Sequence, residues 1–188
     1  MKKSQILIAT ILAVGTLFWG ACVQANKYYA VSVPATANNE SCALIELNRI
    51  TAPLYLDQQQ IAYRTENNTI KYSDKNRWAE PLVRTLKRQL PERISVLLKH
   101  KALKEFSSIN LAVAQLDGEL NGVVKVSASI TLNNLKTAKT SVPAQVFFIE
   151  KSVPVAQNNG NDAFANYSNA VSAAIEMLAQ SIAIIIEE

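Results

Sequence analysis

Residues 55–90 constrain the fold most, because they place a β-hairpin directly before a helix. Residues 61–65 and 69–73 are rich in strand-forming side chains, and they flank the short turn Glu66-Asn67-Asn68. Strand formers around an Asn-rich turn are typical of a hairpin. The sequence therefore predicts two antiparallel strands, followed by a helix that packs on a sheet.

The predicted helix carries one apolar stripe, with large side chains every four residues: Trp78, Leu82, Leu86 and Leu90. That spacing is typical of a helix packed on a sheet. Three residues before it are candidate N-caps: Ser73, Asp74 and Asn76. Pro81 fits the first turn, where proline is tolerated. Pro91 is expected to end the helix, and residues 93–98 then predict a short strand.

Further strands are predicted from alternation of apolar and polar residues. Residues 122–132 place five apolar side chains on one face and polar or small ones on the other, a period of two that indicates a half-buried antiparallel strand. Residues 109–116 precede it across the turn 117–122, and residues 145–150 follow it. Two earlier strands are predicted at 28–33, ended by Pro34, and at 42–50.

A closing helix is predicted after residue 161, with Asp162 as its N-cap. Apolar residues then recur at intervals of three and four: Phe164, Tyr167, Val171, Ala174, Leu178, Ile182 and Ile185. We interpret this stripe as core, with a contact in a partner groove or an oligomer as the functional alternative. The β-branched run 184–186 leaves the end of the helix open.

The N-terminus has the pattern of an export signal. Lys2 and Lys3 precede an apolar run over residues 6–19, as in a bacterial signal peptide. In one interpretation Gly20-Ala21-Cys22 is a lipoprotein box, although Trp19 replaces its usual small aliphatic residue, and Cys22 is acylated. In another, signal peptidase cuts after Ala25. An uncleaved anchor is the third alternative, since the apolar run counted through Val23 has 18 residues and a spanning helix needs roughly 20.

The balance of charged residues argues against nucleic-acid binding. Lys2 and Lys3 account for two of the 19 basic residues, so from Cys22 onward 17 basic residues face 15 acidic ones. This balance is not that of a nucleic-acid-binding protein. One run of basic residues indicates a solvated face, or else a contact with an acidic partner or anionic lipid: Arg84, Lys87, Arg88, Arg93, Lys99, Lys101 and Lys104.

The sequence contains no recognisable catalytic or metal-binding motif. His100, the only histidine, lies among lysines and has no orienting partner nearby in the sequence. Cys42 is interpreted as a buried free thiol, with a Cys22–Cys42 disulfide as an alternative that competes with acylation. Neither cysteine has metal-ligand spacing. We therefore expect no cofactor, no metal and no enzymatic activity.

Several segments together resemble the ABC-type transport auxiliary lipoprotein family, which includes the third component of paraquat-inducible operons. They are the tyrosine pair at 28–29, PLYLD at 53–57, RWAEPL at 77–82, the glycine-containing turn before the strand 122–132, and the small-residue closing helix. The resemblance implies a signal peptide over residues 1–21, a tether over 22–27 and one domain over 28–188. It implies an α/β (α+β) fold with a mixed, largely antiparallel sheet and two main helices packed on one face.

The resemblance also implies a non-enzymatic role in an envelope transport system for lipids or related hydrophobic compounds. A lipoprotein acylated at Cys22, with fatty chains such as palmitate, would dock a periplasmic MCE-type protein or an ABC transporter complex at the outer membrane and support membrane integrity. The resemblance further implies that a ring-shaped homo-oligomer can form. Partner contacts are expected from whichever of three aromatic residues are exposed, with ordinary core packing as the alternative, favoured for Trp78: Trp78, Tyr55 and Tyr63. The alternative is a soluble periplasmic domain that binds a small hydrophobic ligand.

Acylation of Cys22 predicts that the mature chain enters the detergent phase on phase partitioning, because each buried methylene of an acyl chain contributes about 0.8 kcal/mol to membrane binding. Cleavage after Ala25 predicts the opposite. A mature chain found wholly in the aqueous phase would rule out the lipid anchor.

Overall fold

The computed structural model describes residues 25–32, 47–98, 106–134, 144–157 and 162–187. The strands are β1 (Lys27–Tyr29), β2 (Leu47–Thr51), β3 (Gln60–Arg64), β4 (Ile70–Trp78), β5 (Phe106–Gly118), β6 (Val123–Asn134) and β7 (Gln145–Pro154). The helices are α1 (Leu82–Leu97) and α2 (Ala163–Glu187), and a 3₁₀ turn spans Leu54–Asp57. The expected signal peptide, Cys22, Cys42 and His100 lie outside the described residues.

The strands form two mixed, mostly antiparallel sheets, in the orders β1-β4-β3 and β2-β5-β6-β7. The pairs β1–β4 and β2–β5 are parallel, and the other pairs are antiparallel. Between the described strands of the two sheets, a single bridge joins Arg64 to Glu119. The α+β class is therefore confirmed, but the strands separate into two sheets where one was expected.

Both helices cover the same face of the four-stranded sheet. The predicted alternation in β6 is confirmed, since its inward side chains are all at most 4% exposed: Val124, Val126, Ala128, Ile130 and Leu132. These residues belong to one continuous apolar core with the inner residues of β5 and the buried stripes of α1 and α2. Burial of this apolar area is the main force that holds the layers together.

The hairpin is confirmed, but its second strand is longer than predicted. β3 and β4 enclose the turn at Glu66–Asn68, where Asn68 has a φ of 59°, a conformation that Asn tolerates. The predicted caps lie within β4 and do not begin a helix. The Ser73 hydroxyl accepts hydrogen bonds from the backbone N–H and the side-chain amide of Asn76, at 3.0 and 2.9 Å. β4 continues to Trp78 because its end pairs with β1, a distant contact that no local pattern reveals.

α1 runs through Pro91, so the predicted end of the helix and the predicted strand over 93–98 are wrong. A proline inside a helix costs about 3 kcal/mol. That cost is offset because Leu90, Ile94 and Leu98, on both sides of the proline, are at most 1% exposed. Packing of this stripe keeps the backbone helical past the proline.

α2 is the central helix of the core. Asp162 caps it as predicted, accepting the Phe164 N–H at 3.0 Å, and the helix extends to Glu187. The helix is long and apolar enough to span a membrane by length and composition, but half of its apolar window is buried inside the domain. Core helices pass the same test, so this is weak evidence for a span. The buried Tyr167, Val171 and Leu178 confirm that the stripe is core.

An ion pair joins the two helices. The guanidinium of Arg93 donates two hydrogen bonds to the carboxylate of Glu176, at 2.7 and 2.6 Å, and the two side chains are only 15% and 17% exposed. This contact lowers the pKa of Glu176, because the hydrogen bonds from Arg93 stabilise its charged form.

Glu176→Gln is expected to lower the free energy of unfolding at pH 7 by about 1.5–3 kcal/mol, the typical value of hydrogen bonds to a charged group. Because the pKa of Glu176 is lowered in the fold, its contribution is present above the unfolded value near 4.3 and is lost as the pH falls below it. Urea unfolding at pH 7 and pH 3 should therefore show the difference from wild type shrinking at pH 3. Glu92→Gln, at an exposed position of α1, serves as the control, and an equal loss in both variants would contradict the prediction.

Candidate docking surface

The outer face of the four-stranded sheet points away from both helices. On β6 this face carries Lys125, Ser127, Ser129 and Thr131, which are exposed or half-buried. Opposite them on β7 lie, in the same order, Ser152, Glu150, Phe148 and Val146. The face is thus largely polar, as expected for a solvated side of an antiparallel sheet, except at the beginning of β7.

Two apolar side chains at the beginning of β7 are exposed without apolar cover. Phe148 is 85% exposed and Val146 is 52% exposed. Their neighbours on β6 are Ser129 and Thr131, and exposed Ala112 of β5 lies in the same row as Ser129 and Phe148. Small neighbours leave the phenyl ring standing above the sheet. Exposed apolar groups of this kind mark interaction sites when they form a patch.

β7 is also an edge of its sheet. Its ten residues pair with β6 on one side, and no described strand pairs with its other side. Within the described residues, the backbone N–H and C=O groups on that side have no strand partner, so an incoming strand can pair with them. An extended peptide can add to such an edge, while neighbouring side chains provide specificity. The open edge and the Phe148–Val146 pair together form what we call the β7 surface.

The structure places the three predicted contact residues elsewhere. Trp78 is 2% exposed and stacks on Tyr167, with ring centroids 6.3 Å apart, so it is not one of the exposed aromatic residues. Tyr63 is half-buried and meets Phe164 edge to face at 5.9 Å. Tyr55 is half-buried, and its hydroxyl accepts the Leu116 N–H at 3.4 Å. These contacts favour packing roles, and a partner contact through Tyr55 or Tyr63 stays a prediction.

Tyr55 belongs to a polar cluster between the two sheets, centred on the carboxylate of Asp117, which is 1% exposed. Arg64 of β3 donates to both carboxylate oxygens, at 2.5 and 3.2 Å, and Gln115 donates at 2.8 Å. Burial and the hydrogen bond with Asp117 raise the pKa of Tyr55. The charged groups and hydrogen-bond donors of the cluster bond to one another inside the domain, which indicates a structural role.

Tyr167 extends this cluster to α2. Its hydroxyl donates to the carbonyl of Ala62 at 3.0 Å and accepts the Gly118 N–H at 3.1 Å. Burial raises the pKa of Tyr167, because the phenolate would be desolvated. Gly118 is required here, since a Cβ would lie 1.9 Å from the carbonyl oxygen of Val123. One hydroxyl thereby ties a strand of each sheet to the central helix.

An open groove of about 440 Å³ lies beside this cluster, between the β3–β4 turn and the β5–β6 turn. Its lining is mostly polar or charged: Tyr63, Arg64, Thr65, Glu66, Asn67, Glu119, Leu120 and Asn121. Sites for small hydrophobic ligands are mostly apolar and enclosed, so this groove does not favour the alternative of a hydrophobic-ligand-binding domain. In the part of the chain that the structure describes, no His, Cys, Asp and Glu side chains group as metal ligands.

Sequence reasoning did not single out Phe148, although one signal was present. Phe147 and Phe148 are adjacent in a predicted strand. Because successive side chains of a strand point to opposite faces, one of the two rings has to leave the core. Which ring does so depends on the register with β6, where Phe147 lies opposite buried Ile130.

Comparison with known proteins agrees with this fold. The family of ABC-type transport auxiliary lipoprotein components matches residues 29–183, and the chain belongs to this family. The crystal structure of an uncharacterized protein superposes with a TM-score of 0.66 at 18% identity, covering 87% of this chain and 99% of the other. A protein from Xanthomonas campestris superposes with a TM-score of 0.57 at 14% identity, covering 83% and 92%. At these identities the likeness shows the fold alone. No curated protein matches the chain.

Trp78→Ala tests the packing role of Trp78. Removing a buried Trp typically costs about 3–5 kcal/mol, so we expect a large loss in the free energy of unfolding, measured by urea denaturation. Leu54→Ala is the control, because Leu54 is 84% exposed and its truncation should change stability by no more than about 0.5 kcal/mol. Unchanged stability of the Trp78 variant, together with lost partner binding, would support a contact role instead.

Proposed function

We propose that this protein is a non-enzymatic auxiliary lipoprotein of an envelope transport system and holds a periplasmic component of that system at the outer membrane. Membership of the auxiliary lipoprotein family supports the transport context. An acyl chain on Cys22 supplies the membrane attachment. No Asp follows Cys22, where it would act as an inner-membrane retention signal, which supports the outer membrane as the destination.

The β7 surface carries the docking part of this proposal. An exposed aromatic ring beside an open strand edge can bind an extended segment of another protein, with backbone hydrogen bonds giving affinity and the ring giving specificity. Phe148 fits such an anchor because it is 85% exposed and its neighbours Ser129 and Thr131 leave space around it. Aromatic anchors dominate the binding energy of many interfaces.

The partner that fits is an MCE-type periplasmic protein or another subunit of the transporter, presenting an extended segment with apolar side chains. The cargo is then a lipid or related hydrophobic compound that passes through the partner rather than through this domain. The groove at Glu66 and Glu119 has a polar lining, which is consistent with a hydrophobic cargo that does not enter this domain. Assembly into a ring would multiply the number of β7 surfaces offered to one partner.

Docking through β7 is tested by cross-linking tagged protein in intact envelopes and identifying the captured proteins by mass spectrometry. Phe148→Ser should reduce recovery of the transport partner roughly thirty-fold, the effect of a 2 kcal/mol hot spot. Leu54→Ser is the matched control, since Leu54 is exposed to the same degree, and it should recover the partner as wild type does.

Equal recovery with both variants would contradict docking at β7 while leaving the transport role intact. A wild-type chain that begins at Asn26 and captures no transport protein would contradict the proposed function. In that case a soluble periplasmic domain that binds a small hydrophobic ligand becomes the leading account.

A further inference from the structure

The first described strand brings the chain out at one corner of the domain. β1 is an edge of the three-stranded sheet, with Lys27 beside Asn76 and Tyr28 beside Arg77 of β4. The ammonium group of Lys27 lies 3.3 Å from the carboxylate of Asp162, at the start of α2. Asp162 also accepts a hydrogen bond from the Tyr29 hydroxyl at 2.5 Å. Desolvation by burial, together with this hydrogen bond, raises the pKa of Tyr29 to about 12. The corner is therefore fixed to the core.

The distance from this corner to the proposed lipid anchor is short. Cys22 precedes Lys27 by five residues, and a fully extended chain spans at most about 3.6 Å per residue. An acylated Cys22 therefore keeps Lys27 within about 18 Å of the membrane surface. This step rests on the lipid anchor of the proposed function.

The side chains at the corner have the chemistry of a membrane interface. Tyr28 is 60% exposed, and the side chain of Lys27 is 68% exposed. Tyrosine is enriched at headgroup depth, where its ring is apolar and its hydroxyl is wet. Arg77, which lies opposite Tyr28 on β4, is on the same face of the sheet as that ring and suits anionic headgroups. Lys27 points to the other face, because successive side chains of a strand alternate, and its ammonium group is paired with Asp162.

The β7 surface lies at a distance from this corner. The end of β7 is tied to the start of α2, because Asn166 donates to the carbonyl of Ala156 at 3.2 Å, and Lys27 bonds to Asp162 beside the same helix end. Phe148 lies six residues before Pro154, which corresponds to about 20 Å along a strand. A membrane at the corner therefore leaves Phe148 accessible to a periplasmic partner.

We propose that the face carrying Tyr28 and Arg77 at this corner lies on the membrane surface and contacts anionic lipid headgroups. The contact sets the orientation of the domain, so that the lipid anchor and the Tyr28 ring together hold the β7 surface away from the bilayer. A flexible tether alone would leave the domain free to rotate.

The test uses the full acylated chain in vesicles that contain phosphatidylglycerol. Tyr28→Cys and Phe148→Cys, each combined with Cys42→Ser, carry an environment-sensitive fluorophore, while Cys22 is blocked by acylation. The label at position 28 should shift its emission to the blue and lose access to a water-soluble quencher, and the label at position 148 should do neither. Loss of quencher access at position 148, or full access at position 28, would overturn the proposal.

A second variant keeps Tyr28 and tests the charge on its face. A label at Gln60, which lies beside Arg77 on β3, should be shielded from the quencher when Arg77 is present and should return to full quencher access in Arg77→Glu. Unchanged shielding in that variant would overturn the role of the cation. The mass of the N-terminal peptide is measured on every sample. An unacylated chain beginning at Asn26 refutes the anchor of the proposed function, whereas an acylated chain with an exposed corner refutes only this inference.

Discussion

The buried carboxylate of Asp117 is the contact on which the arrangement of the two sheets depends. It is 1% exposed, and such a charge is stable only when it is paired and hydrogen-bonded. Arg64 from the other sheet supplies the pairing, and the hydroxyls of Tyr55 and Tyr167 complete the cluster at the β5 end. Since the sheets share one backbone bridge in the described strands, these side-chain bonds replace the ladder that a continuous sheet would have. Polar bonds thus fix how the two sheets are placed relative to each other, while most of the stability of the domain comes from the apolar core.

The Asp117 cluster lies at the end of the domain where Lys27 enters, away from the exposed side chains at the beginning of β7. The hairpin, the β5–β6 turn and the start of α2 meet around Asp117 and Asp162, at the end where the chain enters through Lys27. The exposed side chains of β7 lie along the sheet from that end. The proposed docking of a partner by a membrane-attached domain requires two surfaces that are apart and rigidly held. The hydrogen bonds of Tyr29 with Asp162 and of Tyr167 with Ala62 hold the parts of this domain together in that way.

Features that depend on neighbouring residues can be predicted from the sequence, whereas features that depend on contacts between distant segments cannot. The alternation in β6, the hairpin turn and the Asp162 cap are local patterns, and they are confirmed. The local rule for proline predicts that α1 ends at Pro91, but the packing of Ile94 and Leu98 offsets the cost of the proline. The four-residue spacing predicts that Trp78 belongs to the helix. It belongs to β4 because of a pairing with β1, some fifty residues earlier in the chain. Phe148 was overlooked for the same reason, since the register with β6 decides which phenylalanine faces outward.

The sequence by itself determined the α+β class, the pattern of apolar faces and the family, because these depend on residue types and on spacing along the chain. It also determined that Lys27 is close to Cys22, which is a matter of chain length. Only the tertiary structure decided that Trp78 lies in β4 and not in the helix, that Phe148 is exposed, and that Asp117 joins the two sheets. The physical reason is that exposure and pairing depend on which distant segments come together, and the free energy of those contacts outweighs local propensity.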